Sequence, residues 1–322
     1  MNDVRIVQGM RDLIPEYCAQ KEALRNRIES VFVKYGYEKI ETPGIEYYET
    51  YRTAFGKMQD EEMYRFFDSN GELLTLRVDM TVPIARVCAT RYANTEGPYR
   101  FRYCADVFKV RHTFAGKRSQ VTDCGVELIG LDSSADIEVL KCALEVMDSL
   151  GFDYQLEIGD SQFFKKACRL LGIDEADMTV LAERIDQKDI PALQTIAQSF
   201  GLQAEDFFEQ LPLLNGPDAL SRAEKICFSD ELSKEVAMLR EINDKLNFLG
   251  YAKHILFDFG KVPHLNYYTG LIFEGFVSGA GVGVLSGGRY DSLLQKFGRD
   301  MPACGFSVKL DYLLDVPQEV SR

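Results

Sequence analysis

Apolar and polar positions along this chain alternate between a helical and a strand period, and the switches mark its elements. From Gln20 to Tyr35 the apolar residues Leu24, Ile28, Val31, Phe32 and Tyr35 form one helical stripe, which Gly36 ends. Residues 1–18, with Gly9, Met10, Arg11, Asp12 and Pro15, read as an ordered entrance loop, and Tyr37–Pro43 as a strand entering a proline turn. Residues 51–63 are mixed and polar, a loop with a short helix. Tyr64–Phe67 and Leu73–Arg77 flank Asn70-Gly71, the signal of a tight hairpin. Pro83 suits the first turn of a helix whose Ile84, Val87 and Cys88 face inward. That places Arg77 and Asp79 at the end of a strand, where side chains converge on a cleft.

A longer hairpin follows, with strands at about 101–110 and 119–129 joined by a basic turn at Arg111, His112, Lys117 and Arg118. Asp132-Ser133 caps a helix carrying Ile137, Leu140, Leu144 and Met147, and 151–158 returns to strand. Residues 161–249 then hold helix-period runs broken by Gly172, Pro191, Gly201, Pro212 and Asn215-Gly216-Pro217. The stripe Phe163, Phe164, Ala167 and Leu171 reads as core rather than a cofactor box. Strands resume at about 254–260 and 268–277, and after Ser286-Gly287-Gly288-Arg289-Tyr290-Asp291 a last strand at Gly305–Val308 leads into a short helix. Strand signals on both sides of a helical block predict one α+β core, 1–160 with 250–322, interrupted by a helical insertion at 161–249.

The chemistry concentrates in the long hairpin. Asp123 and Glu127 share a strand face, and Glu127 stands in a run otherwise too apolar for an idle carboxylate. Two explanations fit: a small cationic or amine-bearing guest, or structural carboxylates answering Arg77, Arg102 or Lys109. A net charge of −13 over 322 residues argues against a broad tRNA or DNA surface. Eight cysteines without a CxxC pair read as reduced thiols of a cytoplasmic protein, and with three histidines there is no zinc signature. No apolar run spans a bilayer, and neither a GxGxxG nor a GxxxxGK loop is present.

Taken in order, these motifs resemble the catalytic core of histidyl-tRNA synthetase, a class II aminoacyl-tRNA synthetase. Gly9-Met10-Arg11-Asp12 and the first helix resemble that family's opening and dimer-forming motif. Leu76-Arg77-Val78-Asp79-Met80-Thr81 resembles its amino-acid-binding loop and the 101–127 hairpin its second motif. Leu265-Asn266-Tyr267-Tyr268-Thr269-Gly270 resembles its histidine-specific segment, and Gly287–Asp291 with Gly305–Val308 leads toward the third motif. The resemblance implies a six-stranded antiparallel sheet flanked by helices. It also implies a pocket in which Asp79, Thr81, Asp123, Glu127, Tyr267 and Tyr268 hold histidine or a histidine-like ligand, Asp79 and Glu127 embracing the amino group. Asp123 departs from the family's glutamine. Arg77, Lys109, Arg111 and Arg289 are candidate phosphate or pocket contacts, Arg289 being equally suited to an internal pair with Asp291 or the backbone.

The activation chemistry departs further. Adenylation needs arginines around the phosphates, but Lys109 and Arg111 stand where the resemblance expects an arginine followed by glutamate, and Pro263 and Tyr312 stand at two further arginine positions. Lysine lacks the rigid guanidinium fork, and proline and tyrosine carry no charge to replace it. With Asp79–Arg86, this combination is similar to the regulatory subunits of ATP phosphoribosyltransferase. That resemblance implies a non-catalytic chain with no cofactor and no anticodon-binding domain. It would be required by a short catalytic subunit in the first step of histidine biosynthesis, would confer inhibition by histidine, and would dimerise within a 4+4 hetero-octamer. An active or divergent adenylating enzyme is the second reading.

Overall fold

The computed structural model describes residues 5–56, 60–111, 117–262 and 268–316. The chain forms two compact units, Met1–Tyr154 with Gly275–Arg322, and Gln155–Glu274. Helix α1 (Pro15–Lys34) starts earlier than the stripe alone predicts because Pro15 occupies its first turn; Leu24, Ile28, Val31 and Phe32 are its buried face. Strand β1 (Glu38–Lys39) follows, then β2 (Ile45–Tyr47), α2 (Tyr48–Phe55), β3 (Arg65–Phe67) and β4 (Leu73–Leu76). Gly71 takes φ +83°, and Asp68 Oδ1 accepts from the Asn70 and Glu72 N–H groups at 2.8 and 2.9 Å, closing the expected turn. These strands pair in the order β2-β4-β3 as a small separate sheet.

Helix α3 (Thr81–Thr90) leads to the long hairpin, β5 (Tyr99–Phe108) and β6 (Gln120–Ile129), and then to α4 (Asp136–Leu150). After the second unit come β11 (Leu285–Arg289), β12 (Ala303–Lys309) and the short α11 (Leu310–Leu313). Alternate residues of β6 divide its two faces. Val126 lies opposite Phe306 of β12, whose ring meets Phe32 of α1 at 5.8 Å, so that face is the apolar core. Asp123, Gly125 and Glu127 take the other face.

The second unit opens on β7 (Tyr154–Asp160) and continues through α5 (Ser161–Leu170), α6 (Glu175–Asp186), α7 (Ile190–Ala197), α8 (Leu202–Gln210), β8 (Asn215–Gly216), α9 (Ala219–Ile226) and α10 (Asp230–Phe248). It closes with β9 (Ile255–Asp258) and the start of β10 (Leu271–Val277). Phe163 packs against Phe207 and Phe259 at 5.7 and 4.9 Å between ring centres, and Phe164 against Phe208 at 6.2 Å. The aromatic stripe is core.

Two expectations need correction. Strand order is β1-β5-β6-β12-β11-β10-β7-β9-β8, a nine-stranded mixed sheet rather than a six-stranded antiparallel one. The added strands carry little signal of their own: β1 and β8 are two residues each, and β9 lies parallel to β7 because the intervening helical block supplies a crossover. Second, the cysteines are not all free thiols. Cys104 and Cys124 sit directly opposite across β5 and β6, 4.0 Å apart at Cα, and are disulfide-bonded.

Candidate functional site

The turn between β4 and α3 and the open face of β6 build one acidic cluster. Val78–Met80 runs out of β4 and is held by Tyr51, whose hydroxyl donates to the Asp79 carbonyl at 3.2 Å and accepts from the Val78 N–H at 3.1 Å. Asp79 Oδ1 accepts from the Val82 N–H at 3.3 Å, in the first turn of α3. Two residues after Asp79, Thr81 donates its hydroxyl to Glu127 Oε1 at 2.8 Å. The strand end and the hairpin therefore meet, as the placement of Asp79 at a strand terminus anticipates.

Glu127 is 1% exposed, and among the described residues its hydrogen-bond partners are hydroxyls: Thr81, Tyr103 at 3.4 Å and, on Oε2, Tyr290. Its neighbours make this possible by omission. A Cβ on Gly305, which lies opposite Glu127, would stand 2.0 Å from Oε2. A Cβ on Gly125 would stand 2.5 Å from the Tyr103 hydroxyl. Close approach of these groups requires glycine at both positions. Tyr103, Tyr290 and Gly305 are absent from the sequence-derived set of ligand residues. The hairpin register reveals Tyr103, and the strand pairing of β12 reveals Gly305.

Asp123 shares the Glu127 face. Its Oδ2 is 3.5 Å from the Ser307 hydroxyl, while Oδ1 is buried without a hydrogen-bond partner among the described residues. Burial pushes Asp123 up to about 6, with Lys309 and Lys109 opposing the rise. Burial likewise pushes Asp79 up to about 7 against the pull of Lys109. Glu127 rises to about 7, again through burial, although hydrogen bonds from Tyr290 and Thr81 favour its ionised form. Three carboxyls thus stand close enough to influence one another, each with its charge held back by desolvation. A cation with N–H donors would reverse that balance.

The structural explanation of these carboxylates loses two of its proposed partners. Arg77 donates to the carbonyls of Asp106 and Thr42 at 2.6 and 2.8 Å, and Arg102 to the Tyr37 carbonyl and Glu29 at 3.1 and 3.0 Å. Arg77, a candidate phosphate or pocket contact, uses Nε and Nη1 to hold backbone. Arg289 takes up the internal pairing with Asp291 and backbone that its sequence context allows. Buried at 4% exposure, it engages Asp136 through Nε and Nη2 at 2.9 and 2.6 Å, Asp291 at 2.8 Å, and the Leu131 and Asp132 carbonyls. All five of its donors are occupied.

Lys109 stands near enough to draw both aspartates down. Arg111 lies 3.6 Å from Glu62, with its Nε buried and unpartnered among the described residues. Tyr312, at an expected arginine position, accepts from the Arg118 N–H at 3.3 Å. Tyr268 belongs to the second unit, half-buried, its carbonyl accepting from Lys165 at 2.6 Å. Tyr267, Pro263, His264 and His112 lie outside the described residues. Among those described, no group of three or more His, Cys, Asp or Glu is arranged to hold a metal ion, and no helix is long and apolar enough to cross a membrane.

The fold and the acidic cluster define a class II histidyl-tRNA synthetase-like chain, and the family model described as histidyl-tRNA synthetase matches residues 9–313. A solved structure from Bacillus halodurans, described as an ATP phosphoribosyltransferase regulatory subunit/histidyl-tRNA synthetase, superposes with TM-score 0.87 at 29% identity, covering 98% of this chain and 83% of that one. A histidine–tRNA ligase subunit from Alicyclobacillus acidocaldarius gives TM-score 0.83 at 25% identity, covering 97% of this chain and 96% of its own. Among curated proteins, the ATP phosphoribosyltransferase regulatory subunit of Clostridium acetobutylicum is 34% identical over 96% of this chain and 78% of that protein. Its counterpart in Acetivibrio thermocellus is 35% identical over 95% and 75%. The chain belongs to the family of ATP phosphoribosyltransferase regulatory subunits.

Proposed function

We propose that this chain is the regulatory partner of a short-form ATP phosphoribosyltransferase catalytic subunit in the first step of histidine biosynthesis. In this reading it supplies no catalytic group, and its acidic cluster binds the amino group of histidine, the feedback effector. The observation that carries the reading is Glu127, a fully buried carboxylate whose partners among the described residues are neutral hydroxyls, with Asp79 and Asp123 beside it. A charge desolvated to that degree is costly unless a cation completes it. An ammonium provides both charge and N–H donors, and Lys109, Pro263 and Tyr312 leave the neighbouring ATP chemistry without its arginines.

Regulation requires histidine to bind two states of the complex unequally, since equal affinity shifts nothing. The proposed assembly is a dimer within a 4+4 hetero-octamer in the cytoplasm, with residues 1–160 and 250–322 as synthetase-like core and 161–249 as insertion. Mixing the chain with a short-form catalytic subunit and following phosphoribosyl transfer tests the assignment. Turnover is expected only in the mixture, and histidine is expected to inhibit it. A Glu127→Ala chain that assembles normally yet leaves inhibition intact would remove the proposed role of Glu127. Histidine-dependent pyrophosphate exchange by the chain alone would overturn the non-catalytic reading.

A further inference from the structure

In the first unit, one half of the disulfide and an exposed thiol border the same cavity. Among the free cysteines Cys18 is exposed, whereas Cys88, Cys142, Cys168 and Cys304 are buried and Cys227 is half-buried. The cavity, of about 410 Å³, lies between α1 and the long hairpin, bordered by Cys18, Lys21 and Arg25 of α1 and by Cys104, Asp106 and Thr122 of β5 and β6. Its walls are fixed. Lys21 Nζ stands 3.2 Å from both carboxylate oxygens of Asp311, and Asp311 Oδ2 accepts from the Thr122 N–H at 2.6 Å. Asp106 accepts from Gln120 Nε2 at 2.9 Å and from the Thr122 hydroxyl. The cavity is therefore preformed rather than a gap among loose side chains.

The two halves of the disulfide differ in access. Cys124 is fully buried, at 0% exposure, whereas Cys104 is half-buried and borders the cavity. Thiol–disulfide exchange is a substitution at sulfur, so the sulfur that an incoming thiolate can reach is the one attacked. Here that sulfur is Cys104. The thiolate of a low-molecular-weight thiol bonds to Cys104 Sγ and the Cys104–Cys124 bond breaks. Cys124 leaves with the electron pair and takes up the proton that the incoming thiol gave up. A second thiolate attacks the small-molecule sulfur of the mixed disulfide, releasing Cys104, which is protonated in turn. Two small thiols are thereby oxidised to their disulfide as one protein disulfide is reduced. A disulfide sealed inside a core resists this chemistry, and one with a reachable sulfur responds to the surrounding thiol pool. Register adds weight to the location: Tyr103 lies opposite Gly125 and Ala105 opposite Asp123, so the bond ties β5 to β6 between two residues of the acidic cluster.

We propose that this cavity is a thiol–disulfide exchange site, at which low-molecular-weight thiols and their disulfides open and re-form the Cys104–Cys124 bond through Cys104. Incubation of the folded chain with reduced or with oxidised glutathione, then acid quenching and peptide mapping by mass spectrometry, tests it. Cys18→Ser serves as the background, so that adducts on the exposed thiol do not mask the pair. Reduced glutathione is expected to open the bond without denaturant. Oxidised glutathione is expected to leave a mixed disulfide on Cys104 when Cys124→Ser is added, and none on Cys124 when Cys104→Ser is added instead. Should Cys124→Ser fail to fold, Cys124→Ala reads the same adduct. A bond that opens only in denaturant overturns the inference. So does an adduct on Cys124 as large as that on Cys104, or a pair that stays as free thiols in oxidised glutathione. Each outcome is independent of whether the chain binds histidine or activates a catalytic subunit.

Discussion

Glu127 is a buried carboxylate whose ionisation weighs against the stability of the folded chain. Its carboxyl is raised in the folded chain by burial, so its contribution to stability is fully present below its unfolded pKa and is lost as pH rises through about 7. Glu127→Gln removes that loss. We expect the variant to melt at least about 2 °C higher than the unaltered chain at pH 8, with the difference vanishing near pH 4. Thermal melts at the two pH values check this, and a lower midpoint at pH 8 would contradict it. Gly305→Ala acts on the same carboxylate by bulk. Its Cβ would meet Glu127 Oε2 and the Val126 carbonyl, so a cost of about 1–3 kcal/mol in chemical denaturation and a large loss of histidine binding are expected. Asp123 and Glu127 were legible in the sequence because carboxylates in an apolar, strand-period run ask for an explanation. Tyr103 and Gly305 were not, because their relevance depends on which residue lies opposite on the neighbouring strand.

Among the elements, those with many apolar repeats or a strong local turn were legible. Leu24 through Phe32 defined α1, Asn70-Gly71 defined the small hairpin, and the stripes containing Phe163 and Phe164 placed the helical block. Elements stabilised from outside were not: β1 and β8, of two residues each, exist through pairing with β5 and β9. Arg77 and Arg289 show the same limit at a finer grain. Sequence reveals a guanidinium but not the carbonyls it holds. Arg289 therefore belongs to the stability of its element, clasping the start of α4 through Asp136. Asp136→Ala leaves that buried guanidinium without its main partner, and urea unfolding should show a loss of about 3–5 kcal/mol. A loss below about 1 kcal/mol would mean that Asp291 and the backbone carbonyls suffice.

For the whole molecule, the proposed function takes a histidyl-tRNA synthetase-like scaffold to keep an amino-acid-binding cluster without the activation chemistry. The net charge of −13 fits a protein that meets another protein rather than a nucleic acid. In the proposed regulation, the difference between complexes with and without effector carries the signal, and pH would enter through carboxyls that must ionise to receive an ammonium. Histidine inhibition of the reconstituted enzyme should strengthen as pH rises from about 5.5 to 7.5, the range in which Asp123, Asp79 and Glu127 lose their protons. Inhibition curves across that range provide the check.

Proton counting during histidine binding tests whether the acidic cluster receives the ammonium. Calorimetry of the chain at pH 7 in buffers of different ionisation enthalpy measures the protons exchanged as histidine binds. Binding is expected with net release of about one proton, as the ammonium draws Asp79 and Glu127 into their charged forms, and with a smaller release from Asp79→Asn. Binding without proton release, or no binding, would contradict this expectation.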